Sequence, residues 1–240
     1  MSAPRDVPEA IHRRFVLAEQ VVSLPGLDVQ VLKPRNSDDL ISEADYVRDE
    51  RLPYWADLWA SSDVLAAYLL TNREALWAMP AVQESVSRGA APAAIELGCG
   101  LGVPSIAASH VGFDVLATDY YEDALLFAAH NAERTLGRAV RTRMVDWNAM
   151  PADLGQFALV FAADVLYELR YAPLLLDAVT RTLAPGGLFV LADQGRVALS
   201  SFLELATARG FDWRATLRVD PQPHEKKPSI TIYELRHKRL

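Results

Sequence analysis

Three glycines and two carboxylates in the middle of the chain have the types and the spacing of a small-molecule binding site. Glu96 closes a short apolar run, and Gly98, Gly100 and Gly102 follow at alternate positions before a helix-like segment. A second apolar run ends in another carboxylate, Asp119. Glycines let the backbone turn sharply and approach a ligand, and the N–H groups that open the next helix face that ligand. This layout predicts a nucleotide-type cofactor site at the carboxyl end of a parallel sheet.

The glycine spacing distinguishes between two classes of cofactor site. A dinucleotide-binding loop needs Gly-x-Gly-x-x-Gly, but the residue three positions after Gly100 is Val103, and Gly102 comes one position early. The spacing therefore disfavours a nicotinamide-dependent dehydrogenase. For the glycines alone, a tight turn that packs without any ligand is an alternative, and Glu96 and Asp119 at the two strand ends weaken it.

Two later strand ends carry further polar and aromatic residues. Asp146 and Trp147 follow the third strand of this series. The carboxylate can accept hydrogen bonds from an amine and the indole can cover an aromatic ring, although a tryptophan packed in the core is an alternative. Asp164 and Tyr167 follow the fourth strand, after the small Ala163 that leaves room for a ligand. A helix N-cap is the alternative role for Asp164.

An alternation of short apolar runs with helical patterns must position these residues. The predicted strands span 94–97, 113–118, 141–145, 157–163, 187–192, 211–217 and 229–235, and the predicted helices span 103–111, 121–136, 171–183 and 198–209. The first five strands are nearly continuously apolar, which is typical of a parallel sheet covered on both faces. The pattern predicts an α/β fold, a doubly wound, mostly parallel sheet of seven strands with helices on both faces.

The N-terminal part of the chain is less regular. Residues 1–52 are interrupted by prolines and hold too few apolar residues for a core of their own, so they predict an extension that caps or edges a domain at 53–240. Within the extension, 29–32 predicts a strand and 37–50 a loop or helix. In the domain, apolar residues recur at helical spacing over 65–76, and the composition of 80–93 predicts a connection.

Composition and charge exclude several classes of protein. The 240 residues carry 24 basic and 31 acidic groups, a net charge of −7, and no basic patch typical of a nucleic-acid binder stands out. One cysteine, Cys99, allows no internal disulfide or cysteine-rich zinc site, and no metal site is predicted. No run reaches the ~20 apolar residues of a membrane span, and the N-terminus lacks a secretory signal. We expect a soluble, cytoplasmic protein with no membrane partner.

With these residues in place, the chain resembles the class I, seven-strand S-adenosylmethionine-dependent methyltransferases. Within that class it is similar to the protein-lysine methyltransferases called methyltransferase family 16. The resemblance runs from about Pro53 to Leu235 and is most specific in the D-x-x-Y motif at 164–167 and in the segment 53–59. The segments 53–55 and 193–196 resemble members that modify the electron transfer flavoprotein β-subunit, whereas Asp146-Trp147 resembles members that modify chaperones and an ATPase. The subtype stays open between these.

The resemblance implies S-adenosylmethionine as the cofactor and a role for each matching residue. Glu96 organises the methionine amino end through the loop, and Gly98 and Gly100 line the amino-acid portion. Asp119 accepts hydrogen bonds from both ribose hydroxyls, which suits a carboxylate because it can accept two donors at once. The remaining predicted cofactor contacts are Trp59, Cys99, Tyr120, Asp146, Trp147 and Ala163.

The implied reaction is the transfer of a methyl group to an acceptor nitrogen, a lysine side chain of a protein. Asp164 orients the unprotonated amine and stabilises the positive charge that develops on nitrogen. Tyr167 forms a wall or a hydrogen bond of the acceptor channel. The alternatives are a small-molecule acceptor and, in another class, an inactive partner protein that only binds the cofactor. A nucleic-acid acceptor is disfavoured by the acidic balance and by the absence of an Asn-Pro-Pro-Tyr motif.

Overall fold

A computed structural model describes residues 9–40, 52–222 and 228–238 of the chain. Most of the segment 37–50, predicted as a loop or helix, lies outside these ranges, and its described part forms a short 3-10 turn at Asp38–Leu40. The strands are β1 Leu17–Leu24, β2 Leu27–Pro34, β3 Ala93–Leu97, β4 Asp114–Asp119, β5 Arg141–Met144, β6 Phe157–Ala163, β7 Leu183–Asp193, β8 Phe211–Val219 and β9 Ile230–His237.

The main sheet has seven strands in the order β5-β4-β3-β6-β7-β9-β8. Neighbours from β5 to β7 pair in parallel, and β9 runs antiparallel to both β7 and β8. The chain leaves β3 toward β4 and β5 and then returns to the other side of β3 for β6, which creates a topological switch point beside β3. The predicted doubly wound, mostly parallel sheet is thereby confirmed.

Helices cover both faces of this sheet. They are α1 Glu9–His12, α2 Ala60–Thr71, α3 Arg73–Trp77, α4 Pro80–Ser87, α5 Val103–His110, α6 Glu122–Leu136, α7 Tyr171–Thr182 and α8 Leu199–Ala208. The longest, α6, has Glu122 and Asp123 in its first turn and ends at Gly137 with φ 75°, so acidic groups face its positive end and glycine supplies the left-handed cap. Among the described helices, none is long and apolar enough to cross a membrane.

The sheet separates two apolar cores, as strand β6 illustrates. Leu159 and Phe161 pack with α2, α5 and α6, whereas Val160 and Ala162 point to the other face and pack with α7 and α8. All four side chains are fully buried. Because both faces are covered, every position of the strand is apolar, and this continuous run is what made the strand predictable.

The predicted strands and helices of the main domain lie within two residues of the observed ones at most ends. One difference is the start of β7, where Leu183 already pairs with Phe157 before the register resumes at Leu159 and Leu188. The prediction of a connection at 80–93 is wrong, since α4 occupies Pro80–Ser87. Proline at the first position of a helix has no N–H that needs a partner and has a preset φ, so Pro80 starts this helix.

The N-terminal hairpin packs on α6 and, within the described ranges, adds no strand to the main sheet. Strands β1 and β2 pair only with each other through a two-residue turn at Pro25-Gly26, and they include the strand predicted at 29–32. Strand β1 was not predicted, because most of its side chains are partly or fully exposed and its apolar pattern is weak. The division of the chain at residue 52 stays a prediction.

Asn131 of α6 ties the hairpin to the glycine turn. Its side chain is fully buried, its Oδ1 accepts from the backbone N–H of Leu32 at 2.8 Å, and its Nδ2 donates to the carbonyl of Leu32 at 3.1 Å. The same Nδ2 donates to the carbonyl of Leu101 at 3.1 Å. One amide therefore satisfies polar backbone groups of two segments that lie far apart in sequence.

We expect Asn131→Ala to lower the free energy of unfolding by about 3 kcal/mol, because it leaves the buried N–H of Leu32 without a partner. Chemical denaturation followed by circular dichroism measures this. The matched control is Thr135→Ala, one helical turn later, which removes a less buried acceptor for Gln30 at 3.0 Å and costs under about 1 kcal/mol. Equal losses in the two variants would contradict the anchoring role of Asn131.

Candidate active site

The glycine turn after β3 adopts a backbone that glycine alone accommodates easily. Gly98, Gly100 and Gly102 have φ values of 79°, 49° and 83°, all in the left-handed region. A Cβ on Gly98 would lie 2.9 Å from Cγ1 of Val165, and one on Gly100 would lie 3.2 Å from the carbonyl oxygen of Trp55. The turn thus brings its backbone close to two neighbouring segments and opens directly into α5.

Asp119 lies at the carboxyl end of β4, beside this turn. Its Oδ2 accepts from the backbone N–H of Gly100 at 2.9 Å, and its Oδ1 accepts from that of Tyr121 at 3.1 Å. The carboxylate lines the same cavity as Gly98 and Gly100. Asp119 therefore connects the end of β4 to the glycine turn that follows the neighbouring strand β3.

Glu96 lies beneath the turn and is buried, so among the predicted cofactor residues it does not line the cavity. Its Oε2 accepts from the hydroxyl of Ser105 on α5. Burial raises the pKa of the Glu96 carboxyl well above its usual range, and the Ser105 hydroxyl opposes that shift. Glu96 can organise the turn from below but does not reach the cavity itself.

Cys99 and Tyr120 both line the cavity, one within the glycine turn and the other directly after Asp119. The thiol of Cys99 is buried, and burial together with the nearby Asp119 raises its pKa well above the usual range. A protonated thiol is a poor nucleophile, so Cys99 serves as a small lining side chain. The ring of Tyr120 lies edge-on to Tyr121, with 5.2 Å between centroids.

Asp146 and Trp147 border the cavity beyond β5. Oδ1 of Asp146 accepts from the backbone N–H and the side-chain amide of Asn148, both at 3.0 Å, and so caps the 3-10 turn Trp147–Ala149. Trp147 is half-buried and meets the ring of Tyr171 edge-on at 6.0 Å between centroids. The indole is thus packed against Tyr171 on one side and lines the cavity, and its contact with a bound ring stays a prediction.

Asp164, directly after β6, is held by charge and is not a helix N-cap. It is the non-glycine residue with positive φ in the described chain, at 60°, and its side chain is 3% exposed. Nε and Nη2 of Arg196 donate to its two oxygens at 2.7 and 2.8 Å, and Nε2 of Gln194 donates to Oδ2 at 2.6 Å. The alternative role as an N-cap fails because the next helix starts only at Tyr171, after Arg170.

Aromatic rings in mutual contact line the same cavity as Asp164. Tyr167 meets Tyr54 at 5.1 Å and Tyr171 at 5.0 Å between ring centroids, and Tyr54 meets Trp59 at 5.9 Å. Burial raises the pKa of the Tyr167 phenol far above its usual range, and the neighbouring Tyr171 adds to that increase. Tyr167 therefore stays a neutral wall and hydrogen-bonding group and cannot serve as a base near neutral pH. Ala163 adds a small side chain to the same lining.

These residues surround one cavity of about 590 Å³ at the carboxyl ends of the parallel strands, beside the switch point. Its volume is within the range of small-molecule sites. The charged residues in its described lining are five carboxylates and one guanidinium, namely Asp57, Asp119, Asp146, Asp164, Glu168 and Arg196. The excess of acidic groups favours a ligand that carries positive charge, such as a sulfonium or an ammonium.

The residues of S-adenosylmethionine recognition predicted from the sequence fit this cavity. All of them except Glu96 line it, and the glycine turn packs its backbone closely against Val165 and Trp55, which also line the cavity. Sequence reasoning gave no role to Arg196, Gln194 or Tyr54. The available signal was position, since Gln194 and Arg196 follow β7, the parallel neighbour of β6, and Asp164 directly follows β6.

A curated relative shares part of this chain. The electron transfer flavoprotein beta subunit lysine methyltransferase of Xenopus laevis is 30% identical over 151 residues, which cover 62% of this chain and 55% of that protein. The chain therefore matches little more than half the length of that relative.

Solved structures resemble the fold at low sequence identity. A ribosomal protein L11 methylase from Lactobacillus delbrueckii subsp. bulgaricus aligns with a TM-score of 0.53 and 20% identity, over 76% of this chain and 81% of its own. The magnesium protoporphyrin IX methyltransferase of Synechocystis, solved with S-adenosylmethionine, aligns with a TM-score of 0.51 and 17% identity, over 83% and 94%. At these identities the comparisons support the fold alone.

A family model matches a part of the chain that includes all the residues lining the cavity. The model of a family described as lysine methyltransferase matches residues 49–208, two thirds of the chain, from the segment before α2 through α8. This match confirms the resemblance to the seven-strand, S-adenosylmethionine-dependent lysine methyltransferases that the sequence predicted. With the glycine turn, Asp119 and the D-x-x-Y motif all inside the matched region, the chain belongs to the lysine methyltransferase family.

Proposed function

We propose that this protein transfers a methyl group from S-adenosylmethionine to the side-chain nitrogen of a lysine in another protein. The observation that carries the proposal is Asp164, a buried carboxylate at the aromatic end of an acidic cavity. When bound, S-adenosylmethionine supplies an electrophilic methyl group on a sulfonium that is already a good leaving group. The enzyme therefore needs positioning more than strong acid–base chemistry.

The predicted cofactor contacts divide the cavity into a donor part and an acceptor part. Gly98, Gly100 and Asp119 hold the amino-acid and ribose portions, and Trp147 covers the adenine. Asp164 and Tyr167 then lie at the acceptor end. Asp164 accepts a hydrogen bond from the amine and stabilises the positive charge that develops on nitrogen. The acceptor nitrogen forms its bond to the methyl carbon as the carbon–sulfur bond breaks, and its surplus proton leaves to water.

A protein acceptor is supported by exposed apolar side chains that adjoin cavity-lining residues in the sequence, a set called the mouth below. Leu169 and Val197 are 63% and 61% exposed, and each directly follows a residue that lines the cavity, Glu168 and Arg196 respectively. Tyr54, on a third segment, lines the cavity and is 39% exposed. Exposed apolar side chains beside a binding site favour contact with a protein surface over a small, fully enclosed acceptor. The cytoplasmic location predicted from the sequence is part of the same proposal.

The test is to incubate the protein with methyl-labelled S-adenosylmethionine and a cell extract, and to identify the labelled residues after hydrolysis. We expect labelled protein bands that yield methylated lysine. Label confined to small molecules would contradict the protein acceptor. Failure of the folded protein to bind S-adenosylhomocysteine in calorimetry would contradict the methyltransferase function itself.

In the same assay, the double variant Leu169→Ser/Val197→Ser is expected to label the protein band about tenfold more slowly. Two apolar side chains that a partner covers contribute on the order of 1–2 kcal/mol to its binding. S-adenosylhomocysteine affinity should stay unchanged. The matched control is Val86→Ser on α4, which is 43% exposed and outside the cavity lining. Equal rates for the control and the double variant would show that the mouth does not contact the acceptor protein.

A further inference from the structure

Arg196 connects three segments of the chain at the acceptor end of the cavity. Its side chain forms a two-pronged ion pair with Asp164, with nitrogen–oxygen distances of 2.7 and 2.8 Å. The guanidinium carbon also lies 5.1 Å from the ring centroid of Trp59, within range of a cation–π contact. Nε1 of Trp59 donates in turn to the carbonyl oxygen of Tyr54 at 2.8 Å. Arg196 therefore joins the ends of β6 and β7 to the segment that leads into α2.

The backbone of Arg196 is itself fixed. Oδ1 of Asp193, a residue that is 1% exposed at the end of β7, accepts from the backbone N–H groups of Gly195 at 2.7 Å and Arg196 at 2.8 Å. Between them, Gln194 extends its amide to Asp164 at 2.6 Å. The whole segment 193–196 is thus tied either to its own turn or to Asp164, and the guanidinium starts from a defined position.

Side chains of the described residues use three of the hydrogen-bonding positions of Asp164. A carboxylate offers about four lone-pair positions, two on each oxygen. Among the described residues, Arg196 occupies one position on each oxygen, and Gln194 occupies the second position on Oδ2. The remaining position is on Oδ1. It can accept one N–H from an acceptor amine while the ion pair stays intact.

We propose that Arg196 is a positioning residue for methyl transfer, an inference that rests on the function proposed above. Its planar guanidinium holds the Asp164 carboxylate in one orientation, with the remaining Oδ1 position available to the amine. At the same time it stacks on Trp59 and so fixes the aromatic wall relative to that carboxylate. In the transfer the nitrogen–carbon bond forms, the electron pair of the broken carbon–sulfur bond goes to sulfur, and the surplus proton leaves to water. Arg196 takes no part in these bond changes.

The test is a set of variants assayed for kcat, for the KM of the acceptor and for S-adenosylhomocysteine affinity by calorimetry. We expect Arg196→Gln to lower kcat about 10- to 100-fold, because misplacement by ~1 Å costs up to about 100-fold. Cofactor affinity should stay within about threefold. Arg196→Lys should recover little of the loss, since an ammonium cannot pair with both carboxylate oxygens in a fixed plane. The double variant with Asp164→Asn should be within about threefold of Asp164→Asn alone, because the two residues act as one unit.

The control variant is Arg214→Gln, which breaks another arginine–carboxylate pair, to Glu234 at 2.8 Å, on β8 and β9 outside the cavity lining. It should leave kcat unchanged. An Arg196→Gln variant with unchanged or increased kcat would overturn the proposal, and an increase would mean that the guanidinium obstructs the acceptor. Multiplicative losses in the double variant would also overturn it.

A readout that needs no acceptor separates this inference from the proposed function. In a nuclear magnetic resonance spectrum, the Nε proton of Arg196 should exchange slowly with water and become fast in Asp164→Ala. An unprotected Nε proton in the wild type refutes the positioning role, whatever the activity. A protected proton in a protein that binds S-adenosylhomocysteine but labels no protein would refute the protein acceptor and leave the ion pair established.

Discussion

Asp119→Ala is expected to weaken S-adenosylmethionine binding about 100-fold while the protein stays folded. The carboxylate is assigned two ribose hydroxyls, and each hydrogen bond to a charged group contributes about 1.5–3 kcal/mol. At the lower end of that range, the loss of both bonds is about 3 kcal/mol, which corresponds to about two powers of ten in affinity. In the wild type the backbone N–H of Gly100 donates to Oδ2 of Asp119 at 2.9 Å. The variant removes this acceptor, so the glycine turn loses a fixed partner. Isothermal titration calorimetry with S-adenosylmethionine or S-adenosylhomocysteine measures the affinity.

Two further variants distinguish a ribose contact from a general effect on the strand. Asp119→Asn keeps one acceptor oxygen but presents an NH₂ group to one of its two backbone donors, so we expect a loss intermediate between wild type and Asp119→Ala. Asp114→Ala removes a carboxylate from the opposite end of the same strand, where it pairs with Arg141 at 2.9 Å on the surface. This control should bind the cofactor as the wild type does. Wild-type affinity in Asp119→Ala would remove this residue from the cofactor site.

The strands and the site edge were predictable because parallel sheets constrain sequence strongly. Strands such as β6 are covered on both faces and are nearly continuously apolar, so their carboxyl ends are visible as carboxylates, Asp119 at the end of β4 and Asp164 directly after β6. The carboxyl ends of parallel strands meet at one edge, so the sequence alone predicts that these residues lie together. Helix α4 escaped prediction because the local composition resembles a connection and only Pro80 marks its start.

The arrangement inside the site was less predictable, because it depends on side chains from segments distant in sequence. Asp164 adopts a φ of 60° and pairs with Arg196, thirty-two positions later, and no local spacing encodes either feature. Strand alternation shows why Glu96 does not line the cavity. It shares a face of β3 with Ala94, toward α5 and Ser105, and so it supports the turn from below.

Asp164→Asn is expected to lower kcat about 100-fold or more with S-adenosylhomocysteine affinity within about threefold of wild type. The fold should tolerate the change, because asparagine, like aspartate, is enriched among residues with positive φ. The amide has a single acceptor oxygen, so it cannot receive both prongs of Arg196 and also an acceptor amine. It also lacks the negative charge that stabilises the positive charge developing on nitrogen. Single-turnover assays with methyl-labelled S-adenosylmethionine and the unmethylated acceptor protein, once identified from the extract, measure the chemical step directly.

The comparison that decides between orientation and overall charge is Glu168→Gln. Glu168 also lines the cavity, but it pairs with Arg170 at 2.8 Å and lies five residues beyond the end of β6. Both variants remove one negative charge from the same cavity. A purely electrostatic effect on a cationic substrate would therefore lower the activity of both variants to a similar degree. Orientation by a fixed carboxylate predicts instead a loss under about threefold for Glu168→Gln, against about 100-fold for Asp164→Asn. Similar losses would contradict the role of Asp164 and would leave the acidic lining as a whole to attract the lysine.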